Sequence, residues 1–233
     1  MAASLFPSTQ WSVLRAVRGP CPEEARRGLA RLCESYWYPV YAFIRGKAND
    51  RDAAEDLTQE FFARLIAKEH FDNVSPERGL FRAFLLAAVK HFLSDQRDRD
   101  RAQKRGGGVA PLSLDFVEAE VRYRLTPESV YEQNWARMLF DQAVKRLHGE
   151  SVKAGKAVQF EACRCYLMDD DDPPAYAVTA ERLKLSEGAL KVKVHRLRQR
   201  LGEVLRSQIE ETVVTAAEAE AELRYVMELL QGR

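Results

Sequence analysis

The sequence predicts an all-α protein with two helical domains joined by a flexible linker. Apolar residues recur at spacings of three and four along most of the 233-residue chain, as on the buried face of a helix. No segment shows the strict alternation of apolar and polar residues that marks a strand. Three consecutive glycines, Gly106 to Gly108, interrupt the helical pattern and keep maximal backbone freedom. We therefore place a linker at 106–126, between two domains of ordinary size.

The N-terminal half of the chain predicts three helices. Pro22 suits the first turn of the first helix, and Pro39 is expected to kink or split it. Asp50 can cap the second helix, at about 51–68. The third helix, at about 80–103, begins apolar and ends strongly charged. This pattern is typical of a helix whose first half lies in a core and whose second half leaves it.

The C-terminal half predicts five more helices. Thr126 can cap a helix that begins with Pro127 and extends to Leu147. Later helices are expected at 156–168, 175–183 and 187–212, with a break at 169–174. From Thr212 onward the chain is acidic and predicts a last helix with one apolar stripe. That helix either stabilises the fold by packing or folds back on the preceding basic helices and covers their binding surface, and the sequence leaves both open.

Composition predicts a globular protein that carries out no chemistry. Apolar residues make up 46% of the chain and charged residues 30%, as in globular proteins. No apolar run approaches the roughly 20 residues of a membrane span, and Met1 to Thr9 lack the pattern of a signal peptide. We therefore expect a cytoplasmic protein with no membrane partner. No nucleophile-and-base pair or phosphate-binding loop is visible, so we expect neither an enzyme nor a cofactor.

The sequence predicts no metal site. The chain has four cysteines, Cys21, Cys33, Cys163 and Cys165. Their spacing matches no common zinc pattern, and buried, unreactive thiols are expected. Cys163 and Cys165 could bind a metal only with a distant His148 or His195, and nothing fixes that geometry. The run Asp169 to Asp172 would suit a metal-dependent enzyme only if carboxylates converged from several elements, so a solvated loop is the simpler interpretation.

The charges of the chain are segregated, although the formal net charge is only +1. One basic stretch runs from Lys90 to Arg105 and a second from Lys184 to Arg206. Acidic residues concentrate at 169–172 and 210–222. Non-specific affinity for DNA rises with the number of phosphates neutralised, so a nearly neutral chain predicts weak binding by itself. We expect a partner to assist.

The segment Tyr176 to Arg200 predicts a helix-turn-helix. A short helix is followed by a turn at Lys184 and Leu185, and Ser186 then caps a long basic helix. Apolar residues stack along one side of that long helix. The opposite side, which we predict enters the major groove, carries Gly188, Val192, His195 and Gln199, flanked by Lys191 and Arg196. Nearer to phosphates we expect Lys193, Arg198 and Arg200.

Two further motifs lie upstream. The first reads Asp56-Leu57-Thr58-Gln59-Glu60-Phe61-Phe62, after Ala54-Glu55, and the second reads Phe81-Arg82-Ala83-Phe84-Leu85, before the basic run to Arg105. Together with Leu185-Ser186-Glu187-Gly188-Ala189-Leu190-Lys191 near the end, they resemble bacterial RNA polymerase sigma factors of the extracytoplasmic-function (ECF) class. The resemblance covers 25–105 as sigma region 2 and 127–209 as sigma region 4. It leaves 1–24 as an N-terminal extension and 210–233 as a C-terminal helical extension.

The resemblance implies a protein that directs core RNA polymerase to specific promoters and assists their melting. Asp56, Gln59 and Glu60 lie at positions i, i+3 and i+4 and share an exposed face beside Leu57. In the family this face docks on the clamp helices of the polymerase beta-prime subunit, while the second domain meets the beta flap. The resemblance also leaves room for an anti-sigma factor.

The resemblance also implies two sets of DNA-binding residues. In the family, the loop at 72–79 would receive an unstacked base of the minus-10 element. The minus-10 set is Asp72, Asn73, Arg78, Arg82, Lys90, His91 and Arg97. The minus-35 set is Ser186, Glu187, Lys191, Val192, Lys193, His195, Arg196 and Gln199. For Phe81, Phe84 and Phe92 core packing is expected.

Two residues depart from the family pattern. Lys184 stands where the turn usually has glycine, and a left-handed backbone there would cost about 1 kcal/mol. His91 stands where asparagine is often found, so the promoter bases of other members cannot be transferred to this chain.

A conventional transcriptional regulator that binds duplex DNA as a dimer is the main alternative. It would explain the helix-turn-helix equally well. It would not explain the motif from Asp56 to Phe62 or the basic continuation of the third helix. Binding to core RNA polymerase separates the two hypotheses.

Overall fold

The computed structural model describes residues 22–48, 50–67, 80–105, 126–168, 173–213 and 215–231. Within these ranges the regular structure is entirely helical, which confirms the all-α prediction. In the N-terminal half the helices are α1 Pro22–Arg45, α2 Arg51–Ala67 and α3 Phe81–Arg105. In the C-terminal half they are α4 Pro127–Lys153, α5 Ala157–Cys163, α6 Tyr176–Arg182, α7 Glu187–Glu210 and α8 Ala216–Leu230. A short 3₁₀ turn, Arg164–Tyr166, follows α5.

Three helix starts are capped as predicted. In each case a side-chain oxygen accepts a hydrogen bond from the backbone N–H three residues later, which satisfies a donor that the first turn leaves unpaired. The distances are 2.7 Å for Asp50, 3.1 Å for Thr126 and 3.2 Å for Ser186. Local side-chain chemistry therefore sets where α2, α4 and α7 begin.

Pro39 does not split the first helix, and α1 continues through it to Arg45. Proline removes one helical hydrogen bond, a loss that packing on both sides can offset. Tyr36 and Val40, on either side of it, are both buried. Tertiary packing has here overridden the local signal.

The described residues divide into two compact units. The first contains the described residues up to Met138 together with Glu211–Glu218, and the second contains Leu139–Glu210 with the residues from Ala219 onward. The division therefore falls within α4, whose first turns belong to the first unit. The predicted linker lies outside the described residues, apart from Thr126.

Aromatic side chains form much of the core of the first unit. The ring of Phe81 meets that of Tyr36 edge to face at 5.2 Å, and the ring of Phe92 meets that of Phe61 at 5.6 Å. Phe81 and Phe92 are buried, as predicted. Phe84 is only half-buried, with its ring 6.0 Å from that of Phe81.

The second unit centres on a buried cluster that holds the helix-turn-helix together. Tyr166 stacks on Tyr176 at 4.5 Å between ring centroids, and its hydroxyl lies 2.8 Å from the hydroxyl of Thr179. The same hydroxyl donates to the carbonyl of Pro174 at 2.8 Å. Leu190 and Val194 of α7 complete the cluster. This cluster thus packs α7 against the rest of the helix-turn-helix.

The C-terminal helix forms as predicted, although it starts later. Thr215 and Glu218 form a reciprocal capping box, with side-chain to backbone distances of 3.2 Å and 2.9 Å. Ala219 and Val226 are buried at helical spacing, and Arg206 of α7 pairs with Glu220 at 2.5 Å. These contacts favour the packing alternative for α8.

None of the helices in the described part of the chain has the length and apolar content needed to cross a membrane.

Candidate nucleic-acid and polymerase interfaces

The turn of the helix-turn-helix keeps the left-handed backbone of the family pattern although Lys184 stands in place of glycine. Lys184 has φ = +54°, in the left-handed region. The turn is closed by backbone hydrogen bonds from Lys184 to Glu181 at 3.0 Å and from Leu185 to Ala180 at 2.9 Å. Together these two bonds form the pattern by which a helix commonly ends through a left-handed residue. Lys184 therefore carries strain that glycine would avoid.

Replacing Lys184 with glycine should stabilise the protein. Relief of the left-handed strain is worth about 1 to 2 kcal/mol, and part of it is offset by the larger unfolded-state entropy of glycine. We expect a net gain of up to about 1 kcal/mol for Lys184→Gly and a loss of more than about 1 kcal/mol for Lys184→Val, whose branched side chain tolerates φ > 0 poorly. Urea denaturation followed by circular dichroism measures both. Equal stability of the two variants would contradict this account.

The two faces of α7 separate as predicted. Leu190, Val194 and Leu201 are buried, whereas the opposite face is exposed. The exposed residues of that face are Gly188, Val192, His195 and Gln199, with Lys191 and Arg196 beside them. Val192 is 49% exposed although it is apolar, so burial does not explain its presence. Thymine offers a methyl group in the major groove to such a side chain.

The acidic and hydroxyl residues at the start of α7 have local roles. Ser186 caps the helix, and Glu187 pairs with Lys191 at 2.7 Å. The Lys191 ammonium also lies 5.6 Å from the ring centroid of Tyr176. The pair is exposed, so its contribution to stability is small and Lys191 can exchange Glu187 for another acceptor.

Three cations that the sequence placed near phosphates have protein partners. Lys193 donates to Gln159 at 3.1 Å, and Arg198 donates through Nε to the carbonyl of Tyr166 at 2.8 Å. Arg200 has the most extensive contacts, described next. Sequence periodicity cannot show such partners, because they lie about 30 to 50 residues away in the chain.

Arg200 binds Glu150 of α4 through two nitrogens, at 3.0 Å and 3.1 Å, and also binds Glu203 at 2.7 Å. The hydrogen bond from Arg200 holds the pKa of Glu150 below its usual value. Forked contacts of this kind are the stronger type of charge-assisted hydrogen bond. Arg200 therefore ties α7 to α4 within the second unit, which does not favour a phosphate contact.

On α2 the predicted polymerase face is only partly free. Asp56 and Gln59 are exposed, and Leu57 is half-buried beside them. Glu60 differs, because its carboxylate accepts hydrogen bonds from Arg64 on the same helix and from Gln96 on α3. Glu60 thus joins α2 to α3 within the first unit. Asp56 and Gln59 are the better candidates for a direct contact.

The minus-10 residues divide into three groups. Asp72, Asn73 and Arg78 lie outside the described residues. Lys90 and His91 are exposed on α3, and Arg97 is half-buried. Arg82 is largely buried, pairs with Glu132 at 2.5 Å, and covers the ring of Trp135 at 4.8 Å. This placement ties Arg82 to α4 and does not favour a DNA contact in the same conformation.

The start of α4 carries residues that sequence reasoning missed. Glu132 meets Arg82, and Glu128 meets Lys90 at 3.0 Å. The available signal was a pair of glutamates one turn apart directly after Thr126 and Pro127. Carboxylates near the start of a helix are usually attributed to the helix dipole. Their pairing with residues of another helix was therefore not predicted.

No group of three or more metal-ligating side chains occurs in the described ranges. Asp169 to Asp172 and Cys21 lie outside them. Cys163 is buried, while Cys33 and Cys165 are half-buried. Burial, and then the neighbouring Glu34, raise the pKa of Cys33 to about 11, so this thiol stays protonated at neutral pH and reacts slowly.

Comparison with known proteins identifies the family. The profile of the family described as ECF sigma factor matches residues 42–207, which is more than half of the chain. The match includes the Asp56 motif, α3 and the whole helix-turn-helix. No curated protein and no solved structure gives a significant match. The chain therefore belongs to the ECF sigma factor family.

Proposed function

We propose that this sigma factor selects promoters through the exposed face of α7, docks on polymerase through α2, and assists promoter melting through α3. Membership of the family gives it a role in promoter-specific transcription initiation, with core RNA polymerase and promoter DNA as partners. The observation that supports the proposal best is the geometry of α7. Its apolar side is buried against the core of the second unit, and its polar side is exposed to solvent.

The minus-35 element is read by the middle of α7. Val192, His195 and Gln199 lie at spacings of three and four, so they project from one face toward base edges. Lys191 and Arg196 flank this face and supply positive charge near the phosphates or bases. Lys193 and Ser186 lie at the edges of this face. Lys193 is bound to Gln159, and Ser186 caps the helix.

Core polymerase is bound by Asp56, Gln59 and the edge of Leu57, facing the beta-prime clamp helices. Glu60 positions this face, because it links α2 to α3 through Gln96. The second unit would meet the beta flap. A factor that acts on chromosomal promoters works in the cytoplasm and performs no chemistry itself.

Promoter melting uses the exposed part of α3 and the loop before it. Lys90 and His91 stand on the solvent side of α3, and the helix continues into a strongly basic end. A basic groove with accessible side chains suits the backbone of a separated strand. Asp72, Asn73 and Arg78 would bind the unstacked base of the minus-10 element.

Transcription of genomic DNA by reconstituted holoenzyme tests the proposal. Mapped start sites should share upstream elements at a fixed spacing, and the chain should co-purify with core polymerase. A chain that binds duplex DNA as a dimer but does not bind core polymerase would be a conventional regulator instead.

The same assay tests how α7 reads the minus-35 element. With His195→Ala, preference should relax at one position of that element by about 1 to 2 kcal/mol, because a single base contact is lost. His148→Ala is the matched control, since His148 pairs with Glu161 on another part of the second unit. Selection from randomised promoters measures the preference. Identical selected sequences for wild type and His195→Ala would remove His195 from the reading face.

A further inference from the structure

The start of α4 is packed firmly into the first unit. Tyr131 is fully buried, with its ring 6.4 Å from that of Phe43 and its hydroxyl donating to the carbonyl of Arg82 at 3.0 Å. Trp135 is 2% exposed. Pro127 lies so close to Gly46 that a Cβ atom there would stand 3.3 Å from the proline ring. Apolar contacts and the Tyr131 hydrogen bond therefore hold these turns against the first unit without the Lys90–Glu128 pair.

Two carboxylates of the same segment face basic residues of α3. Glu132 pairs with Arg82, and one turn earlier Glu128 pairs with Lys90. The pairs run in opposite chain order, so the two helices are antiparallel there. Burial raises the pKa of Glu128, but the hydrogen bond from Lys90, a backbone hydrogen bond and the positive charges of Lys47 and Lys90 together outweigh it, and the net pKa lies below the usual value for glutamate. Glu128 is therefore ionised at neutral pH.

The two ion pairs differ in how much they can stabilise the fold. The side chains of Arg82 and Glu132 are 13% and 14% exposed, which is typical of a structural contact. Those of Lys90 and Glu128 are 47% and 37% exposed. Pairs as open as this contribute little to stability. A contribution to stability therefore explains the presence of the Arg82–Glu132 pair. It does not explain the presence of the Lys90–Glu128 pair.

A carboxylate and a phosphate offer a lysine the same kind of charged acceptor. We propose that Glu128 inhibits DNA binding by the free protein by occupying Lys90. The inference rests on the proposed function, which assigns Lys90 to promoter DNA.

The test uses the full-length chain and a fluorescein-labelled oligothymidylate, because phosphate contacts carry no sequence information. Glu128→Gln should bind about three to ten times more tightly at low salt. The slope of log K against log salt should steepen by up to about 0.7, the value for one additional phosphate contact on a single strand. Fluorescence anisotropy across a salt series measures both quantities.

Glu55→Gln is the matched control. Glu55 is 41% exposed and pairs with Arg51 on α2, so the substitution makes the same charge change and also frees an arginine. A second variant, Glu128→Gln combined with Lys90→Gln, should lose the gain. The proposal is overturned if Glu128→Gln binds no more tightly than Glu55→Gln, or if the gain survives the removal of Lys90. Absence of any DNA binding by Glu128→Gln at low salt would overturn it equally.

Failure of the proposed function can be distinguished from failure of this inference. Formation of holoenzyme with core polymerase tests the function and does not depend on Glu128. If the chain binds core polymerase normally but Glu128→Gln has no effect on oligothymidylate binding, the proposed function stands and the proposed inhibition is wrong.

Discussion

Trp135→Ala should destabilise the first unit by about 3 to 5 kcal/mol, the usual cost of removing a buried tryptophan. The indole is 2% exposed and its ring is covered by the Arg82 guanidinium at 4.8 Å. The substitution removes apolar burial, leaves a cavity and takes away the surface on which Arg82 rests. Thermal and urea unfolding followed by circular dichroism should show an earlier transition.

Trp135→Phe is the control for this prediction. The indole Nε1 is buried and has no hydrogen-bond partner among the described residues. Phenylalanine keeps most of the ring and removes this unsatisfied donor, which offsets part of the lost packing. Its effect should be much smaller than that of alanine. If Trp135→Ala lowers stability by less than about 1 kcal/mol, the segment is not held as the structure indicates.

The fold could be predicted closely because its signals are local. Asp50, Thr126 and Ser186 cap the helices expected of them, since a capping side chain acts on backbone donors two or three residues away. Pro39 shows the limit of such signals. Its local effect is the same in any helix, but the buried neighbours that keep α1 continuous come from the tertiary fold.

The exposed face of α7 could be predicted for a similar reason. Helical periodicity determines which residues share a face, and the apolar side of α7 identified the opposite side as the exposed one. Periodicity does not determine which exposed cations already have partners. Arg200 and Glu150 are separated by 50 residues in the chain, so only the folded structure reveals their contact.

The same limit applies to α3. Arg82 stands in one of the motifs that resemble the family, yet its partner Glu132 follows 50 residues later. The sequence placed a domain boundary between the two. The structure places the start of α4 in the first unit, which makes the contact possible. Contacts between residues far apart in the chain could therefore not be predicted from local sequence patterns.

Asp56→Lys should weaken the binding of core RNA polymerase by about 3 kcal/mol, or roughly a hundredfold, because it places like charge against a basic surface of the partner. Asp56 is exposed on α2, so the exchange should leave the fold unchanged. Glu60 is the poorer position for this test. Its carboxylate binds Arg64 and Gln96, so a lysine there would disturb the link between α2 and α3 as well as any polymerase contact.

Asp95→Lys provides the control, because it makes the same charge reversal at an exposed position of a different helix, α3. Both variants should match the wild type in circular dichroism and melting temperature, and only Asp56→Lys should lose affinity for core polymerase in a titration. Equal affinities for the two variants would show that this face of α2 does not contact polymerase. A loss shared by both would indicate a general dependence on negative charge, since a specific contact responds only to the residue that makes it.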